Sequence, residues 1–214
     1  KTEDVLKQLL SLQSTTTVPR QVLLSLRGKL NAILQVMAGR LGRSLMAHMT
    51  QMITDELTEL TDGVRVEVAR LLELFELNLW KKVPLLYVPA HTVVISDAMW
   101  EPGEPCRVCW IISSASSTRG ATTIIPPDYW AYCNERSTQI MMAEMVASVL
   151  PIMRHPAALY QTHATLHIDS QSVVAVCVLG ALRAADLSQL AFALHMGLVT
   201  LQSSGWWEWV PTAS

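Results

Sequence analysis

Asp97, Glu144 and Asp169 have the side-chain type and the settings that metal-assisted chemistry requires. Asp169 interrupts the apolar run HATLHIDSQSVVAVCVLGALRAADL (163–187) and is followed by small polar residues. Asp97 closes the strand-like VVISDA. Glu144 is the only charged residue between Arg136 and Arg154, in a segment apolar nearly all round, where Ile140, Glu144 and Ala147 fall on one helical face. A bare carboxylate on a buried face is costly. Three convergent carboxylates repel one another and raise at least one pKa. Mg²⁺ answers both problems, because it takes carboxylate oxygens and water and keeps positions open for phosphate oxygens. Two such ions about 3.5–4 Å apart activate a water and steady the leaving oxygen of a phosphodiester. Taken singly, each acid has a plainer role: Asp169, with SQS behind it, as a helix N-cap, and Glu144 as a residue reaching solvent at a helix end. The three together, on these elements and in this order, favour a metal site.

The elements that must position them change character near Pro84. Residues 1–83 read as helices. Val5, Leu6, Leu9 and Leu10 have helical spacing, and Pro19 suits a helix start. Leu23, Leu26, Leu30, Ile33 and Leu34 form one stripe. LMAHMTQMITDEL gives a further helix, and Asp62 is placed to cap VRVEVARLLELFELNLW. Beyond Pro84, LLYVPAHTVVISDAM, CRVCWIISS and ATTIIPP are strand-like. A helix follows, STQIMMAEMVASVLP, ended by Pro151, then the strand TLHID, two helices and a last strand, WWEWV. The order β-β-β-α-β-α-α-β predicts a mixed sheet with helices on its faces. A helix connects the strands of Asp97 and Asp169, so these should be parallel, with both acids at one edge.

Half of the 214 residues are apolar and the net charge is −2. The charge is unevenly spread. Residues 5–54 carry six bases (Lys7, Arg20, Arg27, Lys29, Arg40 and Arg43) and no acid, whereas 91–214 carry nine acids and five bases. A cationic half beside an acidic one suits a polyanion partner together with a cation-dependent site, although solvated helix faces give the same pattern. Cys106, Cys109, Cys133 and Cys177 make no disulfide framework, which points to a reducing, intracellular compartment, cytoplasm or nucleus. Cys106 and Cys109 form a CxxC without a second pair, and read better as buried thiols in a sheet than as zinc ligands. No apolar stretch is long enough to span a bilayer, so no membrane partner is expected. The chain begins at Lys1 and stops after WWEWVPTAS, and is read as a piece of a longer protein.

The stretches VVISDAMWE, IMMAEMVASV, LHIDSQSVVAVCVLGALRAADL and WWEWVPTAS resemble, in family order, the ribonuclease H domain of a retroelement reverse transcriptase. They cover about residues 91–214. Upstream, LLSLRGKLNAILQVMAGR resembles the thumb or connection region that follows the polymerase palm, in the manner of tyrosine-recombinase or long-terminal-repeat retrotransposons. The resemblance implies an α/β, ribonuclease H-like mixed five-stranded sheet flanked by helices, over 86–214 and truncated at its C-terminus, preceded by an α-helical region over 1–85. It implies that Asp97, Glu144 and Asp169 bind two Mg²⁺, or Mn²⁺, and hydrolyse the RNA strand of RNA–DNA hybrids. Lys29, Arg40 and Arg43 would then hold the hybrid's phosphates, with the rest of the parent polyprotein as a second partner. The family's fourth acid would come after the last strand, beyond Ser214. The glycines that often follow the first acid are replaced by Met99, Trp100, Glu101 and Pro102. A ribonuclease H-like module that binds nucleic acid, or packs on a polymerase palm, without turnover therefore stands as the alternative. A helical adaptor fused to an α/β domain with no nucleic-acid role is a third reading.

Several other residues carry two readings. Trp207 and Trp209 share one face of WWEWV and are expected in the core, with Trp206 and Glu208 opposite. Trp100 and Trp130, in expected loops, are candidates for base stacking. His167 shares a strand face with Asp169 and so lies near the expected metals, or simply fills space. His195 sits in an apolar helix, and Asp186 is read as the N-cap of the helix over 187–201.

Overall fold

The computed structural model describes residues 2–37, 45–77, 90–101, 103–134, 139–180 and 184–211. Among these residues four helices come first: α1 (Thr2–Ser14), α2 (Arg20–Met37), α3 (Ala47–Thr54) and α4 (Asp62–Glu76). Their apolar faces close on one cluster, with Leu23, Leu26, Leu30 and Leu34 of α2 buried at its centre and Ile33 packed beside it. In α1 the inward residues are Val5, Leu9 and Leu12. Leu10, expected on the apolar stripe, is 54% exposed, because the i, i+4, i+7 row turns it away from α2 and α4. Thr61, not Asp62, caps α4: its hydroxyl accepts from the Val64 amide at 3.4 Å, and Asp62 becomes the first helical residue.

Glu67, on α4, is buried and takes the role that Met46 cannot at the start of α3. Its carboxylate accepts from the backbone amides of His48 at 2.6 Å and Met49 at 2.9 Å, and lies 3.0 Å from His48 Nδ1. A helix start leaves its first amides without partners, and an anion there is favoured. Burial pushes the Glu67 pKa up, and the two amides and His48 pull against that rise. Glu67→Ala strands two buried donors, so it should cost about 3 kcal/mol, at one to two per donor. A fall in the urea midpoint measures this, and Glu67→Gln, which keeps an acceptor, should lose less.

The remaining elements are β1 (Ala90–Met99), β2 (Arg107–Ser114), β3 (Thr118–Ile124), a 3₁₀ turn (Pro127–Tyr132), α5 (Ile140–Arg154), α6 (Pro156–Leu159), β4 (Thr162–Ile168), α7 (Gln171–Leu179), α8 (Ala185–Thr200) and β5 (Ser204–Trp209). The five strands form one sheet in the order β3-β2-β1-β4-β5. β2 runs antiparallel to both β1 and β3, while β4 runs parallel to β1 and to β5. This is a ribonuclease H-like mixed sheet flanked by helices and preceded by helices, and the expected element order holds. Val94, Val108, Trp110, Leu166, Ile168 and Trp207 point from the sheet into a core closed by α5, α7 and α8.

Pro151 does not end α5. The helix runs on to Arg154, with Pro151 and Ile152 buried. A single missing amide is tolerated where both flanking turns are fixed by the core, and it is Pro156 that begins the next element. Helix α7 ends on Gly180, whose φ of 76° is open to glycine and whose amide donates to the Val176 carbonyl. Helix α8 has two apolar sides. Leu187, Ala191, Leu194 and Leu198 face the sheet core, and Phe192 and Met196 pack against the helical cluster, with the Arg70 guanidinium 5.2 Å above the Phe192 ring. The expected boundary between 85 and 86 lies outside the described residues. No helix among the described residues is long and apolar enough to cross a membrane.

Candidate active site

The parallel ladder of β1 and β4 closes at the pair Ser96 and Ile168. Asp97 is the next residue on one strand and Asp169 the next on the other, so the two acids leave the ladder side by side. Asp97 does not end its strand, as the sequence led one to expect. β1 continues to Met99 because β2 still pairs with it, Asp97 lying opposite Cys109. Helix α5 is fixed over this edge by a contact of 3.4 Å between the hydroxyls of Ser148 and Ser96. Ser148 also donates to the Glu144 carbonyl at 3.0 Å, one helical turn nearer the edge.

The three acids act on one another. Partial burial raises the Asp97 pKa, the Asp169 carboxylate raises it further, and the Ala98 amide, 2.8 Å from Oδ1, opposes them. Burial also raises the Glu144 pKa, the Ser170 hydroxyl opposes it, and the charges of Asp169 and Asp97 add to the rise. Glu144 Oε2 is buried with no hydrogen-bond partner among the described residues. No three His, Cys, Asp or Glu side chains among the described residues stand close enough together to grip a single ion.

The plainer role of Asp169 is filled by its neighbour. Ser170 is the N-cap of α7, its hydroxyl accepting from the Val173 amide at 3.4 Å. Asp186 is not a cap either. It lies in the first turn of α8, is buried, and accepts from the Asn134 amide at 2.8 Å, tying the segment after the 3₁₀ turn to the helix. His195 is buried in α8, with Nε2 3.0 Å from the Cys177 carbonyl and its ring edge-on to Trp207. His163 lies 2.7 Å from the Ser204 hydroxyl and stacks on His91. Strand β4 ends at Ile168, before Asp169, and His167 Nδ1 faces Glu208 Oε2 at 3.4 Å, a distance too long for a strong hydrogen bond.

The aromatic and thiol expectations divide. Trp207 is buried at 8% exposure, but Trp209, expected beside it in the core, is 46% exposed. Its indole donates instead to the Asp169 carbonyl at 2.8 Å. Sequence reasoning missed this residue. The available signal was register, since Trp209 pairs with Ile168, the residue before Asp169. Trp100 and Trp130 stack on each other, 4.4 Å between centroids and 12° apart, so their faces serve the fold. Cys106 is buried before β2, with its pKa pushed up to about 11, while Cys109 is exposed within the strand. The CxxC therefore splits across the sheet surface.

Two of the six bases in the acid-free window 5–54 pair with acids that border it. Asp4 lies 2.7 Å from Lys29 and Glu56 lies 2.9 Å from Arg20. Lys29 thus shares its charge on an exposed helix face, where such a pair is weak. Arg40 and Arg43 lie outside the described residues.

No protein-family model matches the sequence, and no curated protein matches it. Solved structures do. The N-terminal ribonuclease H domain of a Mycobacterium tuberculosis protein, solved as a fusion with maltose-binding protein, is similar over 57% of this chain and 83% of that one, at 17% identity and a TM-score of 0.45. Ribonuclease H1 from Halobacterium salinarum is similar over 56% of this chain and 86% of that one, at 16% identity and a TM-score of 0.42. A foamy viral protease–reverse transcriptase in complex with double-stranded DNA is similar over 99% of this chain, which spans 35% of the viral one, at 10% identity and a TM-score of 0.36. The chain is thus similar to ribonuclease H domains and to a viral reverse transcriptase.

Proposed function

We propose that this chain is the ribonuclease H-type end of a retrotransposon reverse transcriptase, and that it hydrolyses the RNA strand of RNA–DNA hybrids with divalent metal ions. One observation carries the reading: Glu144 feels both aspartates across the sheet edge while its Oε2 is buried without a partner. A buried, unsatisfied carboxylate oxygen that feels two more carboxylates is a group that a hard divalent cation would neutralise. Asp97, Glu144 and Asp169 would hold the metal, two Mg²⁺ or Mn²⁺ by the family pattern. When bound, such ions lower the pKa of a water and clamp phosphate oxygens. The chain's own part is placement. Asp97 and Asp169 are set by the closing ladder, and Glu144 by a helix packed on the core. Recognition of RNA over DNA would use the 2′-hydroxyl, and Lys29, Arg40 and Arg43 would hold phosphates, so binding should weaken with salt.

The second reading is the same module gripping hybrid, or a polymerase palm, without turnover, since Met99, Trp100, Glu101 and Pro102 stand where the family often has glycines. A labelled hybrid separates the two. Mg²⁺-dependent cutting of the RNA strand, lost with a chelator, supports the enzyme. Salt-sensitive binding with no cutting above an Asp97→Asn control supports the binding module.

A further inference from the structure

We infer that Trp209 is a positioning residue for Asp169, an inference that rests on the metal-dependent reading above. The β4–β5 ladder ends with Ile168 opposite Trp209, and the Val210 amide donates to the Ile168 carbonyl at 3.0 Å. The next carbonyl, that of Asp169, lies one residue past the last pair of the ladder. The Trp209 indole N–H reaches it at 2.8 Å and extends the sheet by one bond made from a side chain. On the other side of Asp169, Ser170 is tied to the first turn of α7 through the Val173 amide. The peptide following the acid is therefore held at both ends, which fixes the direction in which the carboxylate leaves the backbone. Groups that orient a ligand in this way set metal affinity without touching the metal.

The exposure of Trp209 separates this role from packing. Trp207 is buried at 8% exposure, whereas Trp209 is 46% exposed and so adds less to the core. Tryptophan offers one donor and no acceptor, so its partner here is specific. Trp209→Phe keeps an aromatic ring and removes the N–H together with part of the indole's apolar contact, a loss that the urea midpoint reads separately.

The test is Mn²⁺ titration of the whole chain by calorimetry, with cleavage kinetics and a urea midpoint on the same samples. Trp209→Phe should weaken Mn²⁺ binding by about tenfold, the scale for losing an orienting group. It should lower kcat while leaving KM for the hybrid and the urea midpoint unchanged. A change in Mn²⁺ affinity below about twofold, with wild type binding normally, overturns the inference and leaves the proposed function standing. Affinity lost only in step with a lowered midpoint also overturns it, as the role would then be structural. A wild-type chain that neither binds Mn²⁺ nor cuts hybrid removes the proposed function, and the inference with it.

Discussion

Asp97→Asn should abolish hybrid cleavage, by a factor on the order of 10³ or more, the scale for removing one member of a catalytic set. The same change should leave the metal-free chain at least as stable as wild type. Asn keeps the oxygen that accepts the Ala98 amide at 2.8 Å, so local geometry survives. What disappears is a negative charge that faces Asp169 and raises Glu144. Activity and stability therefore move in opposite directions. A structural residue would lose both together, and a helix cap replaced by a poorer one would lose stability first. Gel assays of a labelled hybrid, run beside thermal melts in chelator, read the two quantities on one preparation.

A second large effect concerns pH and metal. The Asp97 and Glu144 carboxyls are raised in the fold above their ordinary values of 3.8 and 4.5. The folded chain then binds protons at these sites more tightly than the unfolded chain. Their contribution to stability is complete below those ordinary values and is lost as pH rises through the raised ones. In chelator, the melting temperature of wild type should accordingly fall with rising pH, relative to Glu144→Gln, across the interval above pH 4.5. Mg²⁺ at pH 8 should restore what was lost in wild type, through binding to the folded form alone, and should do far less for Glu144→Gln. Glu67 is raised as well, but it is common to both chains and cancels in the difference.

Much of this was legible in the sequence because it follows from period and order. The alternation of Leu166 and Ile168 against His167 gave β4, the leucine row gave α2, and a helix between two strands gave their parallel pairing. The three acids were legible because an isolated charge in an apolar segment needs a reason. Other features depended on tertiary partners that no local pattern reports. Strand β1 outlasts Asp97 only because β2 is still beside it. Pro151 is carried inside α5 by the core around it. Capping by Ser170 and Thr61 in place of the adjacent aspartates turns on single-residue differences in where a helix begins. Trp209 leaves the core because its indole N–H finds the Asp169 carbonyl, a bond between residues 40 positions apart. In the cationic window 5–54, Lys29 and Arg20 are paired by Asp4 and Glu56, which stand just outside it.

The central claim is that Asp97, Glu144 and Asp169 form one divalent-cation site, and a Mn²⁺ titration of the whole chain followed by electron paramagnetic resonance addresses it most directly. The account predicts saturable binding that Mg²⁺ displaces and that Glu144→Gln and Asp97→Asn each weaken by about tenfold or more. Binding that does not saturate, or that neither substitution alters, would contradict it.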